Sequence, residues 1–261
     1  MVGKTIRDRY EVVAEIGEGG MGVVYKAIDK ELQRPVALKM LHHAHSNDEM
    51  WKARFEKEAK ALAKLNHPSI VTLYDFFKME DKHFLVMELL EGKTGKELLE
   101  ETGAIPFPEL IQMFRRVIKA LAHAHRNKII HRDIKPNNIM ITNSGEVKIM
   151  DFGIARTKDS PHMTQVGYTL GSVLYMSPEQ IRNPQEVDER SDIYSLGITM
   201  FEMATGKPPF MDPDSSQPDI LIKHLSVEPP SPRAINPDVP ETLERAIIRA
   251  LQKNPGMISP A

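Results

Sequence analysis

The sequence predicts an α+β chain in two lobes, a β-rich first lobe carrying one long helix and an α-rich second lobe. Three observations carry that expectation. The chain has 261 residues, more than one ordinary domain holds, so one large or two modest domains are expected. Its first ninety residues fall into short runs rich in β-branched and aromatic side chains around a glycine cluster, with a single helical stretch among them. From Gly92 onward the apolar spacing becomes helical.

In the first lobe, about residues 1–87, "YEVVAEIG" and "GVVYKAID" read as strands on either side of the glycines, and "PVALKML" as a third. A helical pattern follows from about Asp48 to Leu65. Ser46 with Glu49 three residues later marks its start with capping-box spacing. On a 100° wheel Trp51, Phe55, Ala59, Leu62 and Leu65 form one apolar stripe; Glu58 falls inside it and Glu56 outside. "IVTLYDFF" and "HFLVMELL" give two more strands around the polar "KMEDK". Residues 88–91 form a join too short and apolar for a loose linker, and the second lobe occupies about 92–261. Its helices are "PELIQMFRRVIKALAHAH", "SDIYSLGITMFEMATG", "DILIKHL" and "ETLERAIIRALQK", with "IMI" and "EVKIM" as strands between the first two. No internal repeat or low-complexity segment interrupts this order.

Composition narrows the function classes. Hydrophobic residues make up 41% and charged residues 27%, ordinary globular usage. With no cysteine, disulfides and Cys-ligated zinc are excluded. The 34 basic and 36 acidic residues leave a net charge of −2, without the excess that marks a nucleic-acid or membrane-surface binder. No apolar run reaches the roughly 20 residues of a membrane span, and "MVGKTIRDRY" lacks a signal-peptide core. A cytoplasmic chain is expected, with an anchor elsewhere left open.

Chemistry enters at "GEGGMGVV". Gly17, Gly19 and Gly22 form G-x-G-x-x-G, a motif that also opens dinucleotide-binding folds, where a helix follows it. Here the β-branched "VVYKAID" follows, which favours a glycine hairpin over phosphates; a plain flexible hairpin is the alternative. Lys39 ends the next apolar strand and could simply reach solvent. Glu58, however, lies on a core-facing stripe, where a carboxylate is costly unless a cation meets it, and Lys39 is the natural partner. The stretch "HRDIKPNNIMI" then crowds polar groups between two apolar runs. Asp133 and Asn138 stand five apart, and Asp151 follows "EVKIM". Oxygen ligands of this kind suit Mg²⁺, so Asn138 and Asp151 are candidate metal ligands. That leaves Asp133 to accept a proton from an incoming hydroxyl and Lys135 to steady a transferring phosphoryl group. Taken singly, each has a plainer reading as a turn residue, a cap or a loop acid. "HHAH" at 42–45 is better read as a solvated loop than as a metal site, and "HAH" at 123–125 as a helix end whose charge suits the dipole.

These motifs, in this order, resemble a eukaryotic-type serine/threonine protein kinase catalytic domain, most like the bacterial members, over almost the whole chain. They are the glycine loop 17–24, "VALK" ending at Lys39, the helix Glu58, "HRDIKPNN", "DFG" at 151–153 and "SPE" at 177–179, where "APE" is usual. The resemblance implies a protein-kinase-like fold with ATP and Mg²⁺, or Mn²⁺, as cofactors. It implies transfer of the γ-phosphoryl group to Ser and Thr of protein substrates in signal transduction, and Lys135 two after Asp133 goes with that specificity. Gly17, Glu18, Gly19 and Gly22 would cover the nucleotide. Val24 and Ala37, with Met140, would sandwich the purine, with Met87 behind it and the backbone of Glu88, Leu89 and Leu90 as the hinge. Asp192 in "SDIYSLG" would anchor the catalytic loop. Arg132 would order a phosphorylated activation segment, with Thr164 the expected autophosphorylation site and Thr169 the runner-up; a dimer would serve that reaction. Ser172 would contact Asp133 and Lys135 and stay unmodified. Neither nucleic acid nor a membrane is an expected partner. A scaffold that keeps the fold and not the reaction is the alternative, but such chains lack equivalents of Lys39, Asp133 or Asp151, and all three are present. One departure stands out: relatives carry a late Arg that pairs with the Glu of "SPE", whereas this chain reads "LQKNPGMISPA". Glu179 is therefore expected to lack that partner, and the last helix to be missing.

Overall fold

The computed structural model describes residues 1–19, 22–41, 49–152, 170–212 and 214–254. The chain divides into two compact units, Met1–Glu91 and Gly92–Ala261.

The first unit holds β1 (Thr5–Ile6), β2 (Tyr10–Gly19), β3 (Gly22–Asp29), β4 (Arg34–Leu41), α1 (Glu49–Leu62), β5 (Leu73–Met79) and β6 (Lys82–Glu88). The strands form one sheet in the order β1-β2-β3-β4-β6-β5. β4 lies between β3 and β6, antiparallel to both, and is buried on both faces from Val36 onward. Strand alternation sends Val36, Leu38 and Met40 into a core shared with Tyr10, Tyr25 and Phe84. The other face takes Ala37 and Lys39. α1 packs against β5 and β6 through the stripe read from the wheel, with Phe55, Ala59 and Leu62 buried.

The boundaries differ from the sequence reading in two places. α1 ends at Leu62, because the Ala63, Lys64 and Leu65 N–H groups close a turn on Ala59, Ala61 and Leu62. β5 starts at Leu73 and not at Ile70, whose N–H is tied into a turn by the His67 carbonyl at 3.0 Å. Ser46 and the histidines 42–45 lie outside the described residues.

The second unit begins with β7 (Gly92–Thr94), α2 (Gly95–Thr102) and α3 (Phe107–Arg126). β8 (Ile139–Thr142) and β9 (Val147–Ile149) follow, then α4 (Leu170–Val173), α5 (Pro178–Arg182), α6 (Arg190–Thr205), α7 (Gln217–Ser226), α8 (Pro232–Ile235) and α9 (Glu241–Ala250). β7 completes a three-stranded sheet, β7-β8-β9, that the sequence reading did not assemble. α2 was also missed. It is short and opens on glycine, so no apolar period announces it; its signal is the Thr94…Glu97 capping box. Gly95 is there for closeness, since a Cβ would stand 3.1 Å from the Pro136 carbonyl. α3 starts at a Phe-Pro pair and closes with His123, His125 and Arg126 in its last turn, both favourable ends. α6 is buried along nearly its whole length and ends at Gly206, whose φ of 83° is the left-handed cap glycine tolerates. Among the described residues no helix is long and apolar enough to cross a membrane.

α6 and α9 meet closely at Gly197, where a Cβ would fall 2.9 Å from Ala250 Cβ and 3.0 Å from Leu251 Cδ2. Gly197→Val should push the two helices apart and lower the unfolding free energy by about 2 kcal/mol, an overpacking cost that outweighs any helix-propensity gain. Urea denaturation checks it; an unchanged midpoint would mean that the helices part freely.

Candidate active site

Two groups of chemically able side chains stand out, one in each unit. In the first, strand register does the positioning. Val24 lies opposite Lys39, and Ala37 opposite Met87, so the four share one face of the sheet. Lys39 Nζ donates to Glu58 Oε1 at 3.0 Å, and both residues are buried. The β2–β3 ladder runs out to the glycine turn, with Gly17 opposite Val24, Glu18 opposite Val23 and Gly19 opposite Gly22. Gly22 is required where it sits: a Cβ would lie 2.0 Å from the Met40 carbonyl oxygen. Beyond β6, Leu90 is half-buried. The Glu88 N–H is already committed to the Thr72 carbonyl at 2.9 Å, which narrows what its backbone can offer a ligand.

In the second unit the segment 131–138 is fixed from several sides. Asp192, in the first turn of α6 and wholly buried, accepts from the backbone N–H of His131 at 2.8 Å and of Arg132 at 2.7 Å. His125 Nε2–H gives the same carboxylate a third bond at 2.7 Å. The "HAH" stretch therefore does more than complement a helix dipole. Gln180 Nε2 donates to the Arg132 carbonyl at 3.0 Å and Thr199 Oγ1 to that of Ile134 at 3.4 Å. The Asp133 N–H donates to His131 Nδ1, so the ring proton sits on Nε2, which donates to the Met150 carbonyl at 2.9 Å. This ties the loop to the backbone just before Asp151. Arg132 and Asp151 take left-handed φ values of 66° and 48°, each costing about 1–3 kcal/mol that these bonds offset.

On this frame Asp133, Lys135, Asn138 and Ser172 come together. Lys135 Nζ lies 2.9 Å from Asp133 Oδ2 and donates to Ser172 Oγ at 3.2 Å. Asn138 Nδ2 donates to the Asp133 carbonyl at 2.7 Å and to Oδ2 at 3.1 Å. Asp133 is therefore gripped from two sides, as a half-buried carboxylate needs donors. The Asn138 amide nitrogen being spent on Asp133, its Oδ1 is the atom that suits a hard cation, together with the exposed Asp151 carboxylate. Among the described residues no three of His, Cys, Asp and Glu gather into a group that could cage a metal ion. Met140, on β8, is half-buried between Thr94 and Lys148 of its neighbour strands. Thr164, Thr169 and Gly153 lie outside the described residues.

Sequence reasoning missed the rest of α6. Ser195 Oγ holds the Tyr175 carbonyl at 2.7 Å, and the Tyr175 hydroxyl donates to buried Glu202. Burial pushes the Glu202 carboxyl up and the Tyr175 phenol up. With Asp192 and Thr199 these residues form a polar row at helical spacing inside an apolar helix, a signal legible in "DIYSLGITMFE". Glu179 Oε1 accepts from Ser191 Oγ, while Oε2 is buried with no hydrogen-bond partner among the described residues.

A sequence model of the protein kinase domain matches residues 10–256. The serine/threonine-protein kinase PrkC of Bacillus subtilis is 43% identical over 255 residues, covering 98% of this chain and 39% of PrkC. A probable serine/threonine-protein kinase, PknB of Lactococcus lactis, is 41% identical over 97% of this chain and 40% of its own length. The chain thus spans about two fifths of the length of these relatives. Among solved structures, the kinase domain of Mycobacterium tuberculosis PknI superposes with a TM-score of 0.75 at 27% identity, covering 98% of this chain and 92% of that one.

Burial holds the His131 imidazole below its ordinary range, against the pull of Asp192, and pushes His224, against Tyr194, down to about 3. Both bind a proton more weakly in the fold than in the unfolded chain, where histidine titrates near 6.5. Their contribution is present above about pH 6.5 and is lost as pH falls toward the folded values. His224 alone should lower the unfolding free energy by roughly 1–2 kcal/mol between pH 7.5 and 5.5, with His131 acting in the same direction. Urea titrations at the two pH values check it, and a flat profile would contradict it.

Proposed function

The chain belongs to the protein kinase family, and on that premise we propose that it transfers the γ-phosphoryl group of ATP to serine and threonine hydroxyls of proteins in signal transduction. The observation that carries this reading is the group around Asp133. Lys135 bridges Asp133 and the Ser172 hydroxyl on a loop whose backbone is tied to Asp192. ATP and a divalent metal belong to the family; Mg²⁺ is the metal proposed here, with Mn²⁺ as a substitute.

Each residue has a distinct task. Asp133 orients the substrate hydroxyl and accepts its proton as the oxygen attacks the γ-phosphorus and the bond to ADP breaks. Lys135 places positive charge beside the phosphoryl group in flight. Asn138 Oδ1 and the Asp151 carboxylate would hold the metal, which neutralises phosphate charge when bound. From the first unit, Lys39 contacts the phosphates, and its pairing with Glu58 sets where the ammonium stands. The glycine turn (Gly17, Glu18, Gly19, Gly22) covers the phosphates. Val24, Ala37 and Met140 take the purine faces, Met87 backs them, and the backbone at Glu88 and Leu90 pairs with the purine edge. Proteins bearing Ser or Thr are the substrates, and a transient dimer serves autophosphorylation.

Asp133→Asn should keep ATP affinity within about threefold and lower turnover by about 100-fold or more, since it removes proton acceptance and not phosphate contacts. Glu58→Gln should lower turnover clearly, while Glu56→Gln on the same helix, 42% exposed at the side chain, should be nearly silent. A Mg-ATP assay on a generic basic protein measures all three. Near-normal transfer by Asp133→Asn would sink the assignment.

Regulation is proposed at the segment 151–179. Arg132 carries a guanidinium suited to a bidentate grip on phosphate, and Thr164, with Thr169 second, is the proposed acceptor. Mass spectrometry after incubation with Mg-ATP should find phosphate at Thr164, and Thr164→Ala should lower specific activity. An unchanged modification pattern and activity in that variant would remove the regulatory reading and leave the catalytic one standing.

A further inference from the structure

The outer face of α3 plays no part in the reaction above, and its charge is unlike that of any other stretch of the chain. From Leu110 to Arg132 there is no acidic residue, in a protein whose net charge is −2. Arg115, Lys119, Arg126 and Lys128 are exposed, and none has a carboxylate partner among the described residues. Some exposed cations of other helices do have such a partner on their own helix, as Arg245 has in Glu241 and Lys60 in Glu56. Complementing the helix dipole accounts for Arg126, whose Nε donates to the Ala122 carbonyl at 3.3 Å, and for Lys128 just beyond the end. It does not account for Arg115 and Lys119 in the middle. Beside them Ile118 is 41% exposed, while the apolar stripe of the same helix, Leu110, Phe114, Val117 and Leu121, is buried in the unit.

We propose that this face is a docking surface for an extended acidic peptide segment of a partner protein, with Ile118 receiving one apolar side chain among the acids. The spacing fits an extended chain. Arg115 and Lys119 are separated by about 6 Å along the helix axis, close to the rise of two residues in a strand. Two carboxylates at alternate positions of the peptide therefore meet these two cations from one face, and Arg126 and Lys128 extend the positive charge toward the end of the helix. A membrane surface fits less well, because one exposed isoleucine gives a helix no apolar face to insert. Nucleic acid fits less well too, since the row offers no exposed aromatic ring on which a base could stack.

The test uses the full chain and a short fluorescein-labelled peptide with Glu at alternate positions and one central Leu, read by fluorescence anisotropy. Saturable binding is expected, weakening by about tenfold in Arg115→Gln/Lys119→Gln and by a few-fold in Ile118→Ser. A control, Lys30→Gln/Lys207→Gln, should bind as the parent does. Glutamine is a good helix former, and circular dichroism with the single variant Lys119→Gln guards against misfolding. Absence of binding, equal loss in the control, or tighter binding to a single-stranded oligonucleotide or to phosphatidylserine vesicles that the same variant abolishes would each overturn the proposal. Because the readout needs no ATP, its failure says nothing against phosphoryl transfer.

Discussion

A single buried carboxylate, Asp192, sets the geometry on which the rest of the second unit depends. Removing a charge from water is expensive, and it persists here because three donors meet it: two backbone N–H groups of the 131–132 segment and the His125 ring. The arrangement also runs the other way. Two consecutive peptide N–H groups are satisfied by one rigid acceptor, so Arg132 is held at a φ that it would otherwise leave. The rest of the polar row on α6 repeats the device. Ser195 and Glu202 both hold Tyr175, by its carbonyl and its hydroxyl, and Thr199 reaches the Ile134 carbonyl, so loops that carry chemistry are referenced to one stiff element.

The first unit solves its positioning problem differently. There a strand, not a helix, is the stiff element, and an ion pair replaces the network. β4 is flanked on both sides, so its register with β3 and β6 fixes which side chains share a face. Lys39 is then committed to the face that meets α1, and Glu58 is the residue of α1 that meets it. Breaking such a pair strands a buried charge, which costs about 3–5 kcal/mol, so the position of α1 and the charge on Lys39 are linked properties.

Not all buried polarity serves the site. His224 and Tyr194 are bonded in the interior, and Lys253 donates to the same tyrosine hydroxyl while lying 4.3 Å from the centre of the Phe210 ring. Burial lowers the Lys253 ammonium to about 8. These contacts tie the end of α9 to α6 and α7. Glu179 Oε2 is the opposite case, a buried acceptor with no donor among the described residues.

What the sequence determined by itself is whatever depends on short spacing. The period of the apolar stripe put Glu58 and not Glu56 toward the core, and strand patterning put the glycines in a hairpin. These follow from backbone repeat and steric rules that act within a few residues. The tertiary structure alone decided that His125 serves Asp192, that Gln180 serves the Arg132 carbonyl, and that Asn138 and Lys135 grip Asp133. The first two bonds join residues 67 and 48 positions apart. They form because buried donors and acceptors must all find partners, a condition on the folded interior as a whole that no local pattern records.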